Sequence, residues 1–306
     1  AGASLDRDFV LEVESASVQS LGLSASARAT HVALLTLLPP VVEPDTETAR
    51  DIVIVIDCSG SMMGDSIALA KEGVQLSLGS LSPNERFAVM GFGTEFAHFE
   101  PALQPANRKN IALARRFVGN LGNLGGTELS QALDLALAYA SDRPMDILLL
   151  TDGQAWNLDQ AIKRAQSKGI RIFTVGIGSA VAEDTVRALA DETGGACELV
   201  SPAEDMSTRI FRHFNRMRQP QSTRLDIQWP AQPIWEQRPE TGCFAGDAYT
   251  VVAAFAEPIT VPVQIGFEFA GRAPMQLNVP LAPAIAVSDT IVRIAASNMP
   301  GTILSH

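Results

Sequence analysis

Between residues 51 and 218 the hydrophobic positions switch repeatedly between two periods. Residues 52–56, IVIVI, form an unbroken β-branched run, the pattern of a strand buried on both faces. In the following stretch, DSIALAKEGVQLSLGSL, Ile67, Ala70, Val74 and Leu78 recur at helical spacing. RFAVMGFG reads as a strand, and NRKNIALARRFVGNL and ELSQALDLALAYA read as helices. MDILLLTDG is a strand ending in an acid and a glycine. NLDQAIKRAQSKG is helical and stops at Gly169, IRIFTVGIG is a strand, and EDTVRALADETGG is a helix with its own glycine stop. ACELV is a short strand, and PAEDMSTRIFRHFNRMR is a last helix with Pro202 near its start. This alternation predicts a three-layer, doubly wound α/β domain with a mainly parallel sheet and right-handed crossovers. In such sheets ligands bind beyond the carboxyl ends of the strands, so the loops at Asp57 and Asp152 should share one rim.

The flanks follow a different pattern. FVLEVESASVQSLGLSASARATHVALLTLLPP alternates and is rich in small polar residues, as expected of strands joined by loops. After QPQST, the runs RLDIQWP, AYTVVAAFA, TVPVQIGFEFAG and MQLNVPL are short strands punctuated by proline and glycine, the mark of an antiparallel sandwich. Two strands are marginal alone, so residues 1–49 are expected to join a β-sandwich formed by 219–306, with 50–218 inserted between them. The chain shows no internal repeat and no low-complexity tract.

Composition narrows the function classes. With 46% hydrophobic and 19% charged residues the chain reads as globular rather than disordered. A net charge of -11 argues against a nucleic-acid partner, which requires clustered Lys and Arg. No apolar run is long enough to span a bilayer; HVALLTLLPPVV stops at its two prolines. The first nine residues lack the basic and apolar regions of a secretion signal. The compartment therefore stays open, with an extracytoplasmic or cell-surface setting preferred over a cytoplasmic one. Three cysteines (Cys58, Cys197 and Cys243) supply neither a disulfide framework nor a CxxC pair. The four histidines show no HxxxH or HExxH spacing, which makes zinc chemistry a poor fit.

The loop DCSGSMMGDS places Asp57, Ser59 and Ser61 within five residues of a strand end. A helix cap needs only one of these oxygens. A nucleophile elbow would need GxSxG and a histidine base, and a phosphate cradle would need GxxxxGK[ST]; neither pattern is present. A hard divalent cation fits better, because Mg²⁺ takes oxygen ligands and few carboxylates. GGTELS adds Thr127 at a helix start, and LLLTDG adds Asp152, acting directly or through a water. Helix capping remains the alternative role for Thr127. Met62, Met63 and Trp156 are candidates for partner contact beside the ion, with core packing as the competing reading for each.

DIVIVIDCSGSM, GGT and LLLTDG, in that order, resemble the metal-ion-dependent adhesion site of the von Willebrand factor A domain over about residues 50–218. The wider arrangement is similar to the inter-alpha-trypsin inhibitor heavy chain class, in which stretches like LDRDFVLEV and HVALLTLLPP precede the A domain and a β-rich segment follows it. The VIT domain that usually comes before such a stretch in that class is not part of these 306 residues. The resemblance implies a non-enzymatic binding or adhesion module. Its Mg²⁺, with Mn²⁺ or Ca²⁺ as alternatives, would be held by Asp57, Ser59, Ser61, Thr127 and Asp152. A partner protein's Asp or Glu would complete the coordination. Two other classes stay open: an assembly subunit of an intracellular complex, and a metal-assisted hydrolase that lacks an evident general base.

Overall fold

The computed structural model describes residues 21–27, 30–41, 50–152, 158–178, 182–201, 205–238 and 243–283. Within them the IVIVI run is the middle of β3 (Asp51–Asp57), and all seven of its residues are buried. It lies between β4 (Arg86–Phe92) and β7 (Met145–Thr151), parallel to both, with Ile54 in register with Val89 and Leu148. Next to β7 come β8 (Arg171–Ile177) and β9 (Cys197–Val200), also parallel. The sheet is mixed, because β5 (Phe96–His98) and β6 (Gln104–Pro105) run antiparallel to β4. These two short pieces escaped the sequence pattern: strands of three and two residues are too brief to show a period.

Helices cover both faces, as strands buried on both sides require. On one face Val53, Val55, Ala88, Met90, Ile147, Leu149 and Ile172 pack against α3 (Leu129–Leu137), α4 (Asp159–Ser167) and Leu189 of α5 (Glu183–Thr193). On the other, Phe87 stacks on Phe99, which meets Phe117 of α2 (Arg108–Asn120). Phe173, on the same face, meets His213 of α6 (Met206–Met217) edge-on. Helix α1 (Asp65–Gly79) packs along α6 at a close approach: a Cβ added at Gly73 would lie 2.8 Å from Ile210 Cβ. His213 is buried and its pKa is pushed down to about 3, first by burial and then by Arg216. The neutral ring accepts from Arg216 and donates to the Ala196 carbonyl, tying α6 to the segment before β9.

Charges mark the amino ends of the central strands. Asp51 receives two hydrogen bonds from Arg86, at 2.8 and 2.7 Å. Asp146 is held by Arg171 at 2.8 and 2.7 Å and by Arg50 at 2.6 Å. Acid and arginine stand on neighbouring strands, so each carboxylate taken out of water meets a cation in the same plane.

The residues Val42–Pro220 form one compact unit; Ala1–Val41 and Gln221–His306 form the other. The second unit holds two sheets. One is antiparallel, with β13 (Val263–Phe269) between β10 (Ser222–Gln228) and β14 (Met275–Val279). The other runs in the order β11 (Trp235–Gln237), β12 (Tyr249–Phe255), β2 (Thr30–Leu37), β1 (Leu21–Ala27), β15 (Leu281–Pro283). Strand β2 pairs with β12 over seven residues, from Leu37 opposite Tyr249 to His31 opposite Phe255. One junction departs from the antiparallel pattern, since β1 and β15 run parallel. Trp229 meets Phe255 edge-on at 5.2 Å over Ala33 and Ala253.

Gly73 gives a direct test of the α1–α6 packing. Alanine is the better helix former by about 1 kcal/mol, but its methyl would press on Ile210, and overpacking costs about 1–3 kcal/mol. Gly73→Ala is expected to lower the stability of the α/β unit in a denaturant titration, despite the gain in helix propensity. A more stable variant would show that the two helices move apart at little cost.

Candidate metal centre

The carboxyl end of β3 delivers Asp57 into the protein, where it is completely buried. Its Oδ1 accepts a hydrogen bond from the Ser59 amide at 2.9 Å, and its Oδ2 accepts one from the Thr151 hydroxyl at 2.7 Å. Ser59 and Ser61 follow on a turn that becomes a 3-10 helix at Gly60–Met62, with their hydroxyl oxygens 3.1 Å apart. Ser61 donates to Oδ1 of Asp152 at 3.0 Å. Having spent its one proton there, Ser61 accepts from Ser59, so the hydroxyl protons run from Ser59 through Ser61 to Asp152. Four of the five expected oxygen-bearing residues thus converge, drawn from the ends of two adjacent parallel strands.

Thr127 reaches the same rim by its backbone. The Leu124 amide donates to the Cys58 carbonyl at 2.8 Å, and the Gly60 amide to the Gly125 carbonyl at 2.9 Å, joining the two loops edge to edge. On either side of Thr127, the Gly126 amide donates to Thr94 Oγ1 at 2.8 Å and the Glu128 amide to the Gly93 carbonyl at 3.2 Å. Gly125 has φ +98, and a Cβ there would stand 2.8 Å from Thr94 Oγ1, so glycine is needed at this crossing. Glu128, without a side-chain cap, occupies the N-cap of α3, so the capping alternative for Thr127 is not what this helix uses. Among the described residues the Thr127 hydroxyl has no hydrogen bond. Nor do Ser61 and Asp65 cap α1, whose N-cap is Gly64 at φ +97.

The electrostatics separate this corner from the rest of the core. Five acids are buried among the described residues: Asp51, Asp57, Glu85, Asp146 and Glu198. Four are met by arginine, from Arg86, Arg218, Arg171 and Arg209 respectively. Asp57 has hydroxyl and amide donors but no cation. Burial raises its pKa above 3.8, and the hydrogen bonds from Ser59 and Thr151 offset this only in part. Asp152 is also raised, by burial first and by the Asp57 charge among the lesser causes. Two carboxylates linked through Ser59 and Ser61, neither of them paired with an arginine or lysine among the described residues, suit a hard divalent cation that prefers oxygen donors. Cys58 takes no part: it is fully buried, and burial raises its thiol to about 11.

The candidate contact residues part ways. Met62 is completely buried, because the 3-10 turn points it beneath the loop, so core packing is its role. Met63 is half-buried, and Trp156 lies outside the described residues. Two elements went unnoticed in the sequence. Thr151, the residue before Asp152 in LLLTDG, orients Asp57, and the Gly93–Thr94 turn in GFGTEF carries the Thr127 loop. Their signal was adjacency to strand ends, which cannot show which neighbouring strand a hydroxyl faces.

Comparison with known proteins identifies the family of the α/β unit. The model of the von Willebrand factor type A domain matches residues 50–199. A von Willebrand factor A domain-containing protein of Dictyostelium discoideum is 32% identical over 188 residues, which is 58% of this chain and 20% of that protein. Inter-alpha-trypsin inhibitor heavy chain H4 of Homo sapiens is 26% identical over 208 residues, covering 62% of this chain and 22% of that one. The chain thus spans about a fifth of the length of these curated relatives, at 20% and 22%. A solved structure, von Willebrand factor type A from Catenulispora acidiphila, aligns with a TM-score of 0.54 at 18% identity, over 88% of this chain and 74% of that one. At that identity the likeness is one of fold.

The raised pKa of Asp57 sets a pH dependence whose sign can be tested. A carboxyl group with a raised folded-state value holds its proton more tightly when folded, so folding takes up a proton between the ordinary value near 3.8 and the folded value. In EDTA the stability of the wild type should therefore gain from Asp57 as the pH falls through that window, and lose this contribution above it. Asp57→Asn keeps the shape and removes the charge. It should melt at a higher temperature than the wild type in EDTA at pH 7, by an amount worth about 1–3 kcal/mol, and should lack this acid-side gain. A less stable Asp57→Asn would show that the carboxylate is already neutralised.

Proposed function

Because residues 50–199 belong to the von Willebrand factor type A family, whose members commonly serve as protein-interaction modules, we propose that this domain binds a partner protein through a divalent cation. Asp57, Ser59, Ser61, Thr127 and Asp152 hold a Mg²⁺, and an Asp or Glu side chain of the partner supplies the remaining oxygen. The observation that carries this reading is the buried Asp57 carboxylate, which alone among the five buried acids lacks an arginine among the described residues. A bound Mg²⁺ would supply the missing positive charge and, with only two protein carboxylates around it, would keep its attraction for an outside anion.

The chain's own residues would divide the work. Thr151 and the Ser59 amide orient Asp57. The hydroxyls of Ser59 and Ser61, which now pass their protons toward Asp152, would turn their lone pairs to the ion. The Thr127 hydroxyl has no competing partner among the described residues. The module is non-enzymatic on this reading, since its chemistry is coordination. We assign the strands of 1–49 and 219–306 to one accessory β-sandwich, a reading supported by the seven-residue β2–β12 ladder.

Two measurements test the metal and the partner in turn. Ligand bound only to the folded state stabilises it by mass action, about 2.7 kcal/mol at a hundredfold excess over Kd. Millimolar Mg²⁺ should accordingly raise the melting temperature of the wild type and leave Asp57→Ala unmoved, with Mn²⁺ and Ca²⁺ titrated alongside to rank the ions. A pulldown should retain a partner in Mg²⁺ and lose it in EDTA or with Asp57→Ala. Equal retention in all three conditions would sink the cation-bridged reading.

A further inference from the structure

A concave feature lies at the sheet edge, apart from the candidate metal centre. It is a cleft of about 380 Å³ between residues 98–101, which follow β5, and Leu135, Ala138 and Tyr139 at the end of α3. That volume is at the small end of the range for small-molecule sites. Pro101, Leu135 and Ala138 provide apolar walls, while the Phe99 ring is taken up by Phe87 and Phe117 on the opposite face of the sheet. Its polar groups follow from the hydrogen-bond directions. The Tyr139 hydroxyl donates to the Glu100 carbonyl at 2.9 Å, which uses its only proton. Toward His98 Nδ1, 3.0 Å away, the same oxygen must accept, so Nδ1 carries a proton. In the neutral ring Nε2 then presents a lone pair. Burial raises the pKa of Tyr139, which keeps the phenol neutral and the arrangement intact. Glu100 is exposed and also lines the cleft. The side-chain polar groups left over are therefore acceptors, Nε2 of His98 and the Glu100 carboxylate, beside an apolar wall.

We propose that this cleft binds an organic amine: an ammonium group that donates to His98 and Glu100, carried on an apolar body that packs on Pro101, Leu135 and Ala138. An anion of the same shape would meet side-chain acceptors and, at Glu100, a like charge. The proposal is independent of the metal-dependent reading, since no residue is shared. Two carriers present this chemistry, a free arylalkylamine and the lysine side chain of a partner.

The test is an NMR titration of the whole chain with phenethylamine, phenylacetate and the tripeptide Gly-Lys-Gly. Phenethylamine or the tripeptide should shift resonances of residues 98–101 and 135–139 and bind at least about tenfold more tightly than phenylacetate, a difference worth about 1.4 kcal/mol. Tighter binding of phenethylamine assigns a free aromatic amine, and tighter binding of the tripeptide assigns a partner lysine. Glu100→Gln, a conservative change at an exposed position, should weaken the amine by about threefold or more, the scale of an exposed charge pair. His98→Ala should weaken it further, and ring nitrogen shifts should report His98 protonated at Nδ1. Equal or tighter binding of phenylacetate, no response to either amine, shifts confined to other residues, or a ring protonated only at Nε2 would each overturn the proposal.

Discussion

The arrangement of the α/β unit turns on one carboxylate removed from water without a countercharge among the described residues. Strand β3 is buried along its whole length, so the acids at its two ends are buried as well. At the amino end Asp51 meets Arg86, and the desolvation of both is offset by two direct hydrogen bonds. At the carboxyl end Asp57 meets an amide and a hydroxyl, and its pKa rises because burial outweighs them. Hydrogen bonds to a charged group contribute about 1.5–3 kcal/mol each, whereas an unpaired buried ion costs several. One strand therefore carries a closed electrostatic pair at one end and an open demand for positive charge at the other.

The surroundings of Asp57 are consistent with that demand. The DxSxS turn is not free to relax away from its neighbours, because Cys58 and Gly60 share two backbone hydrogen bonds with the Leu124–Gly125 segment. That segment is carried in turn by Gly93 and Thr94, at the end of β4. Three strand ends and one helix start are locked together by these bonds. Pre-arranged oxygens lose little entropy on meeting an ion, which favours a specific site over a diffuse acidic patch. The acid-and-arginine pairs at the opposite rim hold β3, β4, β7 and β8 in register from below.

Much of this was legible in the order of residues. The IVIVI run reads as a strand covered on both faces and DILLL as another strand, and the helical periods between them predict a parallel sheet with crossovers. That topology alone brings Asp57 and Asp152, ninety-five residues apart in number, to adjacent strand ends. The short antiparallel pieces β5 and β6 stayed hidden because two or three residues carry no period. The parallel β1–β15 junction stayed hidden because strand direction leaves no trace in an alternating pattern.

What the chain determined by itself was therefore periodic and local: which segments are strands, which are helices, and which loops carry oxygen. Those properties depend on a residue and its near neighbours, and a single sequence records them. Only the tertiary structure decided that Thr151 faces Asp57, that Met62 points inward, and that the Thr127 hydroxyl has no partner among the described residues. It also decided which buried acids receive an arginine. Such pairings depend on the direction of side chains from separate strands, a distance of a few ångströms in space with no counterpart along the chain.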